Sequence, residues 1–155
     1  MSDKTYTRTV EALKQGTVID HIPAGQGVKI LRLFQFAESG ERVTVGLNLA
    51  SRHMGAKDII KVENVALTEE QANELALFAP KATVNVIADF AVVKKHKLEL
   101  PDAIEGIFSC PNSNCISHSE PVRSFFYVKP QRGDVKMKCK YCEKAFTKDI
   151  VTEVR

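Results

Sequence analysis

Apolar positions change period several times along this chain, and each change marks an expected element. Thr17-Val18-Ile19-Asp20-His21-Ile22 is rich in β-branched residues and reads as a strand, broken by Pro23-Ala24-Gly25-Gln26-Gly27. From Val28 to Ala37 the residues Val28, Leu31, Phe34 and Ala37 recur at helical spacing, and Ser39-Gly40 close the segment. Arg42 to Leu49 alternates, which predicts a half-buried strand with Val43, Val45, Leu47 and Leu49 on one face. Asp58 to Glu63 predicts another, with Ile60 and Val62 on the face opposite Ile59 and Lys61. Thr68-Glu69-Glu70-Gln71 is a capping box, in which the threonine hydroxyl and the glutamine side chain each satisfy a backbone amide. The helix it opens is expected to run to about Ala79 and stop at Pro80. Ala82 to Ile87 and Phe90 to Lys95 read as two more strands, joined at Ala88-Asp89.

Strand, helix, strand, strand, helix, strand, and one strand more is the split β-α-β order called ferredoxin-like: an antiparallel sheet with two helices on one face. Such a sheet needs cover on its other face, from a second copy or another domain. Residues 1–15 read as a loosely held arm, in which Thr9 to Leu13 edge into a strand or a first turn. Leu98-Glu99-Leu100-Pro101-Asp102 reads as a linker, dividing an α+β unit (residues 1–98) from a small all-β unit (99–155). In the second unit Ser124 to Val128, a turn at Pro130 to Asp134, and Val135 to Lys138 predict a hairpin. A unit this small buries too little apolar surface to stand alone.

The hairpin brings two pairs of cysteines together. Cys110 and Cys115 bracket Pro-Asn-Ser-Asn, and after 23 residues Cys139 and Cys142 bracket Lys-Tyr. Two short-range pairs across a hairpin are the usual way to build a closed tetrahedral zinc site, with sulfurs about 2.3 Å from the ion. The alternatives are two disulfides or four buried free thiols. The expected metal is one Zn²⁺ per chain, and four thiolates leave it no open position, so its role is structural and it helps fold the small unit.

Composition narrows the rest. The chain has 155 residues, 44% of them apolar, with a polar, charged start and no apolar run near the 20 residues of a membrane span. No secretory signal and metal-spaced cysteines imply a reducing cytoplasm and no membrane. The net charge is +3. Four thiolates around one divalent ion carry −2, which brings the second unit close to neutral and argues against nucleic acid as a partner. Lys57, Lys61, Lys94 and Lys95 lie in or beside strands of the first unit, with Asp20 and His21 near the end of another. Solvated strand ends are the plain reading. The functional one is a shallow polyanion site, because lysines meet phosphates as point charges. No Gly-rich phosphate loop accompanies them, and His21, His53, His96 and His118 pair with no obvious nucleophile, so the sequence predicts no enzyme.

Several stretches together resemble the regulatory chains of aspartate carbamoyltransferase, of the enterobacterial type, over nearly the whole length. They are Gly16 to Pro23, Thr44 to Leu49, Met54 to Asn64, Leu75 to Asn85, and above all Cys110 to His118 with Cys139 to Glu143. The resemblance implies a non-catalytic subunit with an N-terminal allosteric domain and a C-terminal zinc domain, controlling pyrimidine biosynthesis. It implies regulatory homodimers that hold two catalytic trimers in a dodecamer, through contacts to the catalytic chain at Asn112, Asn114 and Glu143. It implies nucleoside triphosphate effectors: CTP inhibits, UTP reinforces it in some members, and ATP activates. The family's effector site falls on Val10, Glu11, Ala12, Asp20, His21, Lys57, Ile59, Lys61, Asn85, Ile87, Phe90, Val92 and Lys95. Lys95 and Lys57 match phosphate positions, Lys61 a ribose position, and the backbone at Ala12 and Phe90 positions that read the base. Ala12 stands where relatives often carry a larger aliphatic residue, Phe90 where they often carry Tyr, and Val86 where they often carry Arg. Regulation is then expected to pass through the linker, from Leu98 to Ile104. Two readings from other classes compete: a zinc-ribbon nucleic-acid binder using Lys136, Lys138, Lys140 and Lys144, and a metalloenzyme, which would need an exchangeable water on the metal.

Overall fold

The computed structural model describes residues 12–132, 134–148 and 152–153; Val10 and Glu11, with Thr9, lie outside the described residues. Five strands build the first sheet: β1 (Gly16–Pro23), β2 (Val43–Ser51), β3 (Gly55–Glu63), β4 (Thr83–Ala88) and β5 (Ala91–His96). Their order is β2-β3-β1-β4-β5, and every pairing is antiparallel. Helices α1 (Gly27–Leu33) and α2 (Glu69–Leu75) complete the expected order, with β5 as the added strand. The capping box forms as read: Thr68 Oγ1 accepts the Gln71 N–H at 3.1 Å, and Gln71 Oε1 accepts the Thr68 N–H at 3.0 Å. The inward side chains Ile19, Ile60, Val62 and Val84 pack against Ile30, Ala72 and Leu75.

Several local expectations change. Helix α2 ends at Leu75 and not at about Ala79, and the chain goes on in tight turns in which the Phe78 N–H donates to the Leu75 carbonyl at 3.0 Å. The stripe that enters the core from α1 is Gly27, Ile30 and Leu33, followed by Phe36, and Val28 stays 48% exposed. Both stripes have a spacing of three, and the left-handed Gln35 (φ 54°) ends the helix and starts one 3-10 turn at Phe36–Glu38, which selects between them. In β2 the alternation fails at Leu47, which is 46% exposed, because a bulge lies between Gly46 and Leu49 with Asn48 at φ 57°. One extra residue flips the side chains after it. Finally, Phe90 belongs to the turn and not to the strand: Asp89 and Phe90 both have positive φ (50° and 64°), the geometry of a two-residue hairpin loop.

Among the described residues the second unit is mainly short strands, with a 3-10 turn at Ile116–His118. It comprises β6 (Ala103–Glu105), β7 (Phe108–Ser109), β8 (Phe125–Gln131), β9 (Asp134–Cys139), β10 (Ala145–Thr147) and β11 (Thr152–Glu153). A four-stranded sheet runs β10-β9-β8-β6, and β11 pairs with β7. The expected turn at Pro130 is tighter than read, because Pro130 is itself paired with Val135 in the β8–β9 ladder. Proline is tolerated there since β6 covers only Phe125 to Tyr127, so the side of β8 that lacks its N–H has no neighbour.

The two units share apolar packing. Leu33 and Leu77 are buried in one cluster with Ile104, Ile107, Phe108 and Phe126, and the Phe78 and Phe108 rings lie 5.9 Å apart. Lys148 Nζ donates to the Leu77 carbonyl at 2.7 Å, and the Glu99 N–H to Asn73 Oδ1 at 3.1 Å. The linker is therefore not the sole mechanical route between them. Among the described residues no helix is long and apolar enough to cross a membrane.

Candidate functional sites: a four-cysteine cluster and a cationic sheet face

Two knuckle turns present the four cysteines. In the first, Asn112 Oδ1 accepts the Asn114 N–H at 3.1 Å, and the Asn112 carbonyl accepts the Cys115 N–H at 3.0 Å. His118 Nε2 lies 3.0 Å from both the Cys110 and the Asn112 carbonyls and ties the turn down from outside. In the second, the left-handed Glu143 (φ 64°) lets its N–H reach the Cys139 carbonyl at 2.9 Å, while the Cys139 N–H donates to the Lys144 carbonyl at 2.9 Å. All four cysteines are free, and their Sγ atoms lie within 4.8 Å of one another. Cys110 to Cys142 and Cys115 to Cys139 are each 3.7 Å. A tetrahedron of sulfurs about 2.3 Å from a central ion has edges of about 3.8 Å, so the cluster fits a metal and is too open for two disulfides.

Electrostatics agree. Burial pushes the Cys110 and Cys139 thiols up, Cys110 well beyond its ordinary range, and neighbouring sulfurs add to the shift at both. At Cys115 burial also raises the thiol, but donors from Ser117 outweigh it. At Cys142 burial is likewise outweighed, by the Lys144 amide and the Asn112 side chain, which hold it at about 7. Two sulfurs thus sit among donors that favour thiolate, and a cation held among the four would favour it at the other two. No exchangeable position is left on an ion held by four thiolates, so the centre is structural. Asn112, Asn114 and Glu143 ride on the same two turns, and Asn114 and Glu143 are exposed.

The second site lies on the sheet face opposite the helices. Register places Lys61 beside Val18, Val18 beside Asn85, and Asn85 beside Lys95, one row across four strands. Ile87 and Val92 sit in the neighbouring row, paired with each other. Lys94 is one position on and faces the other way. A bulge between Ile19 and Ile22 puts His21 at φ 59° and turns Asp20 toward Lys57, whose Nζ lies 2.9 Å from Asp20 Oδ1. Two clefts flank the row. One, of about 340 Å³, is lined by Ala12, Lys61, Phe90, Arg42 and Thr44. The other, of about 500 Å³, is lined by Asp20, His21, Asn85 and Lys95. Phe90 donates its N–H to the Lys14 carbonyl at 3.0 Å.

Sequence reasoning passed over several residues that line these clefts: Arg42 and Thr44 in the first, Lys81, Thr83 and Lys97 in the second. Thr83 Oγ1 is 3.2 Å from His21 Nδ1. The only sequence signal was the run Lys94-Lys95-His96-Lys97, four successive titratable residues at the end of an edge strand. Asp58 was passed over entirely. It is fully buried, and its carboxylate accepts the Gly25, Gly27 and Asn48 N–H groups at 3.0, 2.9 and 2.9 Å.

Comparison with known proteins identifies the family of both units. Residues 8–99 match the family model described as the aspartate carbamoyltransferase regulatory chain, allosteric domain, and residues 102–152 match its metal binding domain. A protein of Chromobacterium violaceum named aspartate carbamoyltransferase regulatory chain is 83% identical over 150 residues, covering 97% of this chain and 99% of its own length. Relatives of the same name in Aeromonas hydrophila and Vibrio cholerae are 67% and 58% identical, each over 99% of both chains. The nucleic-acid and metalloenzyme readings find no support beside these matches. A four-thiolate structural centre, an antiparallel α+β unit in front of it, and both family models in matching order lead to one assignment: the chain belongs to the family of aspartate carbamoyltransferase regulatory chains, non-catalytic subunits that couple an allosteric domain to a metal-binding domain.

Proposed function

We propose that residues 1–98 bind nucleoside triphosphates on the helix-free sheet face, and that residues 99–155, folded around one zinc ion, dock on catalytic trimers. The row Lys61–Val18–Asn85–Lys95 carries the reading. Three strand spacings of about 4.8 Å separate its two lysines by roughly 14 Å at the backbone, a span suited to an extended nucleotide. Lys95 and Lys57 meet the phosphates and Lys61 the ribose. The backbone of Ala12 and Phe90 reads the base, and Ile59, Ile87 and Val92 give the apolar floor. Asp20, His21 and Asn85 supply polar contacts, and Val10 and Glu11 are the remaining effector positions by the family resemblance. CTP, ATP and UTP are the expected effectors. Zinc suits the four sulfurs because thiolate sites favour it and it brings no redox chemistry. Asn112, Asn114 and Glu143 contact the catalytic chain, in a dodecamer of two catalytic trimers and three regulatory dimers.

Lys95→Ala tests the effector site. The side chain is exposed at a sheet edge, so its loss leaves no cavity and the assembly is expected to persist. Losing one charge-assisted phosphate contact is expected to weaken CTP binding about 10- to 150-fold by calorimetry. Parent-like affinity would remove Lys95 from the site.

Coupling gives a second expectation. An effector shifts a two-state equilibrium only by its differential affinity, and linkage is reciprocal. With CTP favouring the low-activity assembly by about 1–3 kcal/mol, a bisubstrate analogue is expected to weaken CTP binding by the same factor, roughly 5- to 150-fold. Equal CTP affinities with and without the analogue, while CTP still inhibits, would rule out a population shift.

A further inference from the structure

Three lysines line the larger cleft: Lys95 and Lys97 from the β5 side, and Lys81 from the turn before β4. Among the described residues none of the three forms an ion pair. The one carboxylate among the described residues of the cleft, Asp20, is already engaged by Lys57 at 2.9 Å. Its two imidazoles are engaged as well, His21 with Thr83 Oγ1 at 3.2 Å and His96 with the Leu67 carbonyl at 2.9 Å. The cleft therefore holds an uncompensated charge concentrated in three ammonium groups. A monophosphate is served by one of them, and the additional charge is matched only by a chain of phosphates.

Lys81 differs from the other two in what it is attached to. Pro80 before it fixes its own φ, the Ala82 N–H closes a turn on the Ala79 carbonyl at 3.0 Å, and Ala79 and Ala82 are both buried in the first core. Four residues upstream, Leu77 is buried in the cluster of the metal-binding unit, and the Phe78 ring lies tilted beside that of Phe108 at 5.9 Å. One short, anchored segment thus carries a free cation at one end and an interdomain contact at the other.

We propose that Lys81 is a further nucleotide-binding residue, selective for the distal phosphates, and that the 77–81 segment conveys distal-phosphate occupancy to the interdomain core. The proposal rests on the nucleotide reading above. Lys95 serves any phosphorylated nucleoside, while Lys81 is reached only by a triphosphate, so the two lysines separate affinity for nucleotide from discrimination by phosphate number.

The test is calorimetric titration of the complete assembly with CTP and with CMP, for the parent, Lys81→Ala and Lys81→Arg. Lys81→Ala is expected to lose about 10-fold in CTP affinity while CMP affinity stays within about 2-fold, and Lys81→Arg to restore the difference. Maximal inhibition at saturating CTP is expected to fall in Lys81→Ala. An unchanged ratio of CTP to CMP affinity in Lys81→Ala would overturn the proposal even where Lys95→Ala weakens both ligands. A parent assembly that binds neither nucleotide would overturn the nucleotide reading itself.

Discussion

Replacing Cys139 by Ser is expected to release the metal and unfold the second unit. Cys139 is buried at the end of β9, and its Sγ is 3.7 Å from that of Cys115, so its loss breaks one ligand and opens the tetrahedron. A structural zinc in a small domain contributes on the order of 10–16 kcal/mol at neutral pH, more than the whole stability of a unit this size. The cluster of Ile104, Ile107, Phe108, Phe126 and Met137 is expected to open with it, since β8 and β9 are held in register beside the knuckles. The first core, centred on Ile19, Ile60 and Leu75, is expected to persist. Elemental analysis together with sizing against catalytic trimers checks this, and a mercurial that caps the thiols is expected to reproduce it. Folded protein that assembles while holding no zinc would contradict the assignment.

Asp58→Ala is expected to destabilise the first unit by about 3–5 kcal/mol. Three charge-assisted bonds from one buried carboxylate, at roughly 1.5–3 kcal/mol each, are lost, and water entering the site returns part of that. The carboxylate joins three places: the β1–α1 turn through Gly25 and Gly27, the β2 bulge through Asn48, and β3 itself. Gly27 is committed to this arrangement, since a Cβ there would stand 2.8 Å from Asp58 Oδ2. Asp58 is next to Lys57, so nucleotide affinity is expected to fall together with stability. Urea unfolding reads the first effect. A midpoint shift equivalent to less than about 1 kcal/mol would show that the three amides find other partners.

What was legible in the sequence depended on the range of the interaction. Cys110-x₄-Cys115 and Cys139-x₂-Cys142 are local turns, so spacing alone disclosed a metal centre. The Thr68–Gln71 box is local too, and it formed as read. Strand order followed from the succession of elements, because a split β-α-β chain has few ways to pair without crossing. Three of the misreadings are places where a positive φ interrupts a regular element: Gln35, Asn48 and Phe90. None of these is a glycine, and a non-glycine residue gives little local warning that tertiary contacts will hold it in the left-handed region.

By itself, then, the sequence determined the element order, the pairing of the four cysteines that cluster and the supply of cations. Each is a matter of residue type at short separation. The tertiary structure alone decided which cations share a face, because that depends on register: Lys61 and Lys95 are 34 positions apart in sequence yet lie in one row. It also decided that Asp58 is a buried acceptor of three amides and not a solvated strand end. Most decisively, it placed Leu77 and Phe78 in the second unit's core, beside the segment that carries Lys81. Such placements follow from burial of apolar surface between distant segments, a non-directional force that leaves no spacing signature in the chain.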